Sequence, residues 1–416
     1  MSNRAIIENK SRQILFSDHI RKNLVALFKN GEYQKLLDII PPIIEKNPNE
    51  NILWYLKGLS FAKLKNFKDA VTSLKTALKI NPQNPEIYNH IGMCYKLIGE
   101  FDSAQKYFEK GLELKKDNFK IMINLANLLK DKKDFSKSLE LYKKCIELNT
   151  YNQWGIYYNI GLVHQLQNNI KEAIQNYEIS INRNPYQADT YTSLSECMLD
   201  SNDLESAYKL LQKSQKLENN NFRTQHNLGL YYKHKDQTEI AIECFENSIK
   251  LKANNYQSYY NLGIIYSKKK DYLKSIFYLN KSIEINNTFH KAISKKLHKH
   301  SMLFDWDEIE KHSHLIPFLG VGEETIDPLT ILFLEDNPEN EFKRAKNIGS
   351  KCWASRTLIP FTKKPNKRIK IGYFSNCFFT HPEMLLLIGV LEKHDKNNFE
   401  IIAYSLNNRI RDKMTK

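Results

Sequence analysis

Four asparagines, Asn124, Asn159, Asn227 and Asn261, fall in one slot of a period of about 34 residues that runs through most of the chain. A primary amide offers a carbonyl acceptor and an NH₂ donor, the complement of a peptide bond's own groups. A row of such amides can hold an extended polypeptide by its backbone. Packed helices lie roughly 8–10 Å apart and an extended strand advances about 3.3 Å per residue, so successive asparagines would grip about every third residue. Leu56, His90 and Ser193 occupy the same slot elsewhere and interrupt the row. The competing reading is a plain polar helix face in an asparagine-rich chain. A second cluster, His298, His300, His312 and His314 with Asp305 and Asp307, has HxH spacings that could suggest a metal. On charged helical segments these fit a solvated face better.

The elements that position the asparagines follow from the rest of the period. From Asn51 to Asn84 the chain carries Trp54, Gly58, Phe61, Ala70, Leu74, Ala77 and Pro82. Counting Asn51 as slot 1, these are slots 4, 8, 11, 20, 24, 27 and 32, and the pattern resembles a tetratricopeptide repeat. The slots recur as Tyr88, Gly92, Tyr95, Ala104 and Phe108, and then as Met122, Ala126, Leu129, Ser138 and Tyr142. After one inserted residue the register resumes and continues to Phe289, while a weaker copy with Leu24, Leu36, Ile40 and Pro48 precedes the anchor. This predicts eight repeats over 17–289, each a pair of helices. Small residues at slots 8 and 20 mark where the two helices cross. Large apolar residues at slots 4, 7, 11 and 24 give each helix one buried stripe. A single repeat cannot bury that stripe, so the expected fold is mainly α, a stacked superhelix. Slot 6 lies beside the stripe and is expected to face the concave channel.

The net charge of +15 comes from 62 basic and 47 acidic residues. Lysines such as Lys63, Lys65, Lys68 and Lys75 sit between the apolar stripes, and no aromatic-interleaved basic motif accompanies them. The charge therefore reads as a solvated face rather than a nucleic-acid surface. The six cysteines include no close pair, which fits reduced thiols and a cytoplasmic location. No stretch of 18 apolar residues suggests a membrane span, and no Walker loop or GxGxxG is present to hold a nucleotide.

Beyond the repeats, His290 to His300 reads as a helix capping the last apolar face. A helical connector over 290–362 contains Phe304-Asp305-Trp306-Asp307, and a helix starts at Asp336-Asn337-Pro338-Glu339 with Asn337 as its cap. After the basic linker Lys363 to Lys367 the periodicity changes. RIKIGYFS alternates polar and apolar residues as a strand does. A helix from Glu383 to Lys393 and a second strand-like run, FEIIAYS, follow it. The segment 368–416 is read as the opening β-α-β of a Rossmann-like lobe of GT-B type.

The order of repeats, DW-containing connector, LEDNPE-type helix, RIKIGYFSNCFFTHP and FEIIAYS resembles the protein O-GlcNAc transferases and their Spindly-like relatives. Members of that family transfer a sugar from a UDP donor to Ser or Thr of proteins, and a similar strand ends in a loop of the form SSDFxxHP. The resemblance implies that His381 is the active-site histidine and that the asparagines bind the substrate polypeptide. Cys377 stands where the family has Asp, and Leu385 where many members have a second histidine. The chain stops at Lys416, before the second lobe that mainly holds the nucleotide sugar. The expectation is a polypeptide-binding arm with a partial catalytic lobe, inactive as this chain alone and without a cofactor of its own. The alternative is a non-catalytic repeat scaffold for protein interactions. A third reading, a basic module for an acidic partner, rests on charge alone, and the repeats are also a candidate homodimer surface.

Overall fold

The computed structural model describes residues 18–148, 153–322, 324–332, 334–353, 369–375 and 399–405, with Lys393 and Asp395. Two compact units divide it, Met1–Arg344 and Ala345–Lys416.

In the first unit sixteen helices follow one another as eight antiparallel pairs. They are α1 (18–29), α2 (Tyr33–Lys46), α3 (Asn51–Lys63), α4 (Phe67–Ile80), α5 (Pro85–Ile98), α6 (Phe101–Leu114), α7 (Phe119–Asp131), α8 (Phe135–Leu148), α9 (Trp154–Leu166), α10 (Ile170–Arg183), α11 (Ala188–Asp200), α12 (Leu204–Leu217), α13 (Phe222–His234), α14 (Thr238–Leu251), α15 (Tyr256–Lys268) and α16 (Tyr272–Ile285). The boundaries are chemical. Asn84, Asn118 and Asn221, at slot 34, accept from backbone N–H groups of Glu86, Ile121 and Arg223, capping the next first helix. Asp203 and Asp271, at slot 16, cap the second helix of their repeats. Between them slot 15 turns the chain in the left-handed region in every pair. Gly31 and Gly99 fill it in two repeats, and Lys65, Lys133, Asn168, Asn202, Asp236 and Lys270 in the others.

Packing within a pair explains the small slots. A Cβ on Gly92 would lie 2.6 Å from the Phe108 ring, and one on Gly161 would lie 2.6 Å from Tyr177. Slot 8 thus leaves room for the large slot-24 side chain, and Phe108, Tyr142, Tyr177 and Phe245 are all fully buried there. Where slot 20 holds serine, its hydroxyl donates to the slot-8 carbonyl, as in Ser138 to Ala126 at 2.8 Å and Ser275 to Gly263 at 2.7 Å. Serines at slot 27 do the same toward slot 1, with Ser180 bonded to the Trp154 carbonyl and Ser248 to that of Phe222. The buried hydroxyls are thereby satisfied.

Repeat geometry continues past Phe289. Helix α17 (His290–Met302), the left-handed residue Phe304, the cap Asp305 and helix α18 (Trp306–Lys311) repeat the same slots. The second helix of this ninth unit is only 6 residues long and gives way to a 3₁₀ turn, Ser313–Phe318. The helix read over His290 to His300 is present and packs on α16, and it is covered in its turn. Ile293 and Leu297 of α17 are themselves buried against Ile309, Ile316, Leu319, Ile326 and Ile331 of the connector, which closes the stack. Glu324 accepts from the backbone N–H groups of His290 and Lys291 at the start of α17. Arg344, with 0 % of its side chain exposed, donates from Nε to the Leu319 carbonyl and from Nη2 to that of Ile316, and pairs with Glu335 and Glu341 at 2.6 Å. It lies on α19 (Pro338–Trp353), where Asn337 accepts from Asn340 N at 3.1 Å as its cap.

The second unit contains two strands, β1 (Ile369–Ser375) and β2 (Phe399–Ser405), paired in parallel with Ile369 opposite Phe399 and Ser375 opposite Ser405. Parallel neighbours need a crossover connection. Apart from Lys393, which is helical, the Glu383 to Lys393 stretch and the His381 loop lie outside the described residues.

Candidate functional site

First helices of successive repeats touch one another along the stack, α3 with α5, α5 with α7, α7 with α9, α9 with α11 and α11 with α13. The second helices show no such series among the principal contacts. First helices are therefore the inner, more closely spaced layer, and the face they expose is the groove of this unit.

Slot 6 sits deeper in this layer than its place beside the apolar stripe suggests. Leu56, Ser193, Asn227 and Asn261 are buried, Asn227 to 1 % exposure, while His90, Asn124 and Asn159 are half-buried. Adjacent first helices approach so closely that slot 6 of one meets slots 5 and 9 of the one before. Asn227 Nδ2 reaches the Thr192 carbonyl, Ser195 Oγ and Glu196 Oε1 at 3.2–3.4 Å. Asn124 Nδ2 donates to Asn89 Oδ1 at 2.8 Å. Asn159 and Asn261 turn their amide N–H groups onto their own helices, at the Gly155 and Gln257 carbonyls, and their carbonyls accept from Lys130 and Lys233. Among the described residues no donor reaches Asn124 Oδ1.

The middle of the face carries a network that the slot pattern does not announce. Arg223, at slot 2 of α13, donates to Ser193 Oγ at 3.0 Å, Glu196 Oε1 at 3.1 Å and Tyr158 Oη at 3.3 Å, so one guanidinium ties three successive first helices. Glu196 also accepts from Gln165 Nε2, whose carbonyl accepts from Tyr177 Oη at 2.6 Å. Below the network the hydroxyls of Thr192, Ser214 and Thr224 bond one another at 2.8–2.9 Å. His226 Nδ1 lies 2.8 Å from Ser258 Oγ, and burial lowers its pKa to about 4. Toward the N-terminal end the rings of Tyr55 and His90 meet edge to face at 5.7 Å, and burial holds His90 below the usual histidine range. Polar groups between packed helices cost desolvation and must be matched one by one. The signal in the sequence was present but scattered, in Lys130 and Lys233 at slot 12 and Arg223 and Glu196 at slots 2 and 9.

His300, read from sequence as part of a solvated face, is buried and pairs through Nδ1 with Asp305 Oδ2 at 2.9 Å. Among the described residues no group of three or more His, Cys, Asp or Glu side chains is arranged to hold a metal ion. None of their helices is long and apolar enough to cross a membrane. His381 falls outside the described residues.

Comparison with known proteins bears on the same region. Residues 58–99 match the family model "TPR repeat", 222–255 and 256–289 each match "Tetratricopeptide repeat", and 82–214 match "Pre-mRNA-splicing factor Syf1/CRNKL1 C-terminal HAT repeat". The chain is 29 % identical over 105 residues to heat shock protein STI1 of Saccharomyces cerevisiae, covering 25 % of this chain and 18 % of that protein. It is 24 % identical over 198 residues to the TPR repeat-containing protein MJ1428 of Methanocaldococcus jannaschii, covering 45 % and 34 % of the two. To the human protein O-mannosyl-transferase TMTC3 it is 23 % identical over 181 residues, covering 40 % and 20 %. The matches span well under half of these relatives' length. Among solved structures, the APC/C hetero-tetramer Cut9-Hcn1 superposes with a TM-score of 0.50 at 18 % identity, over 64 % of this chain and 52 % of that one, which bears on the fold alone. Residues 58–99 and 222–289 thus match tetratricopeptide repeats, and the first unit stacks its helix pairs as a superhelix.

Proposed function

We propose that this run of tetratricopeptide repeats is a non-catalytic scaffold that holds extended polypeptide segments of partner proteins along the inner face of its stack. The reading rests on one observation. The first helices are joined across repeats by polar side chains, Asn124 to Asn89, Lys130 to Asn159, Arg223 to Ser193 and Lys233 to Asn261. An apolar seam would stabilise the stack as well without the desolvation cost. The half-buried members, Asn124 and Asn159, retain amide capacity toward the groove. Such a face suits a backbone ligand, since it offers both donors and acceptors. The buried, unpaired thiols fit a reducing compartment, the cytoplasm.

The test uses the full chain and an acetylated, amidated peptide of about 16 residues made of Gly, Ser, Thr, Asn and Gln, long enough at 3.3 Å per residue to cross several repeats. Asn124→Ala and Asn159→Ala together should weaken its binding about fivefold or more, with the helical circular-dichroism signal and thermal midpoint retained. Unchanged affinity, or no binding by the parent chain, sinks the proposal.

A narrower reading, the polypeptide-binding arm of a protein glycosyltransferase, is favoured by the parallel pairing of β1 and β2 and by the likeness to the protein O-mannosyl-transferase TMTC3. In that reading His381 would serve the acceptor hydroxyl as a base. Incubation with UDP-GlcNAc and a Ser/Thr-rich peptide, followed by mass spectrometry, separates the two. Transfer lost in His381→Ala supports the enzyme, and absence of transfer and of UDP binding leaves the scaffold.

A further inference from the structure

Lys130 and Lys233 stand out on the groove. Both occupy slot 12 of a first helix, three repeats apart, and both donate to the slot-6 asparagine carbonyl of the next repeat, Lys130 to Asn159 Oδ1 at 3.4 Å and Lys233 to Asn261 Oδ1 at 2.8 Å. Both are half-buried. Among the described residues no carboxylate lies within the 4.0 Å of an ion pair with either. The acids nearby are committed elsewhere, Asp131 to Lys96 at 2.8 Å and Glu196 to Arg223 at 3.1 Å. Each of the two also feels a second cation, Lys96 for Lys130 and Lys268 for Lys233, while Asp131, beyond ion-pair distance, attracts Lys130. An ammonium in this setting has given up hydration, and the hydrogen-bond partner it has gained is a neutral carbonyl.

We infer that the Lys130–Asn159 and Lys233–Asn261 pairs are two equivalent subsites for the carboxylate side chains of Asp or Glu in an extended polypeptide held in the groove. This rests on the proposed polypeptide-binding role and adds a selectivity to it. Each ammonium supplies the charge, and a neighbouring amide N–H can complete a charge-assisted contact. Burial holds both lysines below the usual range, the state that an arriving anion relieves. Duplication decides between a side chain and a chain terminus as the ligand. One polypeptide has a single terminal carboxylate and cannot fill two like subsites on one path, whereas it can carry any number of acidic side chains. Three repeats at roughly 8–10 Å each separate the subsites by roughly 24–30 Å, which an extended chain spans in about eight residues. The favoured ligand therefore has two acidic residues about eight positions apart.

The experiment compares the uncharged Gln-containing peptide above with its twin bearing Glu at two positions about eight apart, both acetylated and amidated, by fluorescence anisotropy on the full chain. The Glu peptide should bind about tenfold tighter at low salt, with the advantage shrinking as salt is raised. Lys233→Met with Lys130→Met should abolish that advantage, so that the two peptides bind the variant alike. Equal affinity of the two peptides for the parent chain overturns the inference while leaving the scaffold reading intact, and binding of neither overturns both. Loss of both peptides in the double variant marks the lysines as structural and also overturns it, as does an advantage that appears only with a free C-terminal carboxylate or with a single-stranded oligonucleotide.

Discussion

Arg223 Nη2 lies 3.1 Å from Glu196 Oε1 and bridges α13 to the helix before it in the inner layer, with both side chains less than a third exposed. The same guanidinium reaches Tyr158 two repeats back, so it fixes the relative setting of three repeats rather than one contact. Asp189, 3.9 Å away, adds a weaker attraction. Glu196 in turn is held by Asn227 and Gln165. The pair is thus hydrogen-bonded on both sides, the condition under which a partly buried ion pair contributes to stability.

A double-mutant cycle of Arg223→Met and Glu196→Gln should give a coupling of about 1–2 kcal/mol in denaturant unfolding, larger than for an exposed pair. Lys144 and Glu140 on α8, paired at 2.6 Å and largely exposed, are the internal control and should couple clearly less. Equal couplings would show that the Arg223 network is decoration.

His226 makes the stack sensitive to acid. Burial first, and then the positive charges of Lys233 and Arg223, lower its native pKa from 6.5 to about 4. Between those values the unfolded chain binds a proton that the native state refuses. Stability is therefore complete above pH 6.5 and falls as the pH drops toward 4, by up to about 3 kcal/mol for this one group. Phe245 packs edge to face on the ring and Ser258 bonds Nδ1, so the site has no anion to receive the proton. Urea midpoints of the parent and of His226→Gln should diverge above pH 6 and draw together toward pH 4.5. A constant difference across that range would refute the assignment.

Cysteine chemistry offers a direct probe of packing. Cys94, Cys145, Cys197 and Cys244 are buried free thiols, and burial pushes the first two and the last up to about 11 and Cys197 to about 12. With almost no thiolate and no access, they should resist iodoacetamide at pH 8 in the native chain and react fully in urea, as read by peptide mass mapping. Rapid native labelling of any one would place its repeat in an open state.

Phe304 carries a left-handed backbone, φ 59, at a slot filled elsewhere by glycine, asparagine, aspartate or lysine. Its ring is 78 % exposed and recovers little of the strain. Phe304→Asn should raise the unfolding midpoint, corresponding to about 0.5–1 kcal/mol. A fall instead would mean that the ring holds a contact worth more than the strain.

The repeat architecture was legible because it is local. Gly92 against Phe108, or Gly161 against Tyr177, is a contact between residues 16 apart in one repeat, and the slot pattern names both partners. The cap at Asn337 and the extended runs Ile369–Ser375 and Phe399–Ser405 were readable for a similar reason, since they depend on turn chemistry and on alternation along a few residues. The ninth unit was less visible. Its first helix keeps an apolar Ile293 at slot 4 but has Leu297 at the small slot 8 and His300 at slot 11, α18 is cut short, and isoleucines spread from Ile309 to Ile331 cover it in no fixed period.

The sequence by itself determined the helix pairs, their crossing points, their turns and the asparagine slot, because each follows from residue types at fixed separations within 34 positions. The tertiary structure alone decided where that slot points. Asn227 is buried and spent on the neighbouring helix, Asn124 keeps a carbonyl for the groove, and Lys130 and Lys233 join the row from another slot. The physical reason is the spacing between repeats. It is set by side chains whose identities change from one repeat to the next, and a small difference in helix approach moves the same amide from the groove into the seam.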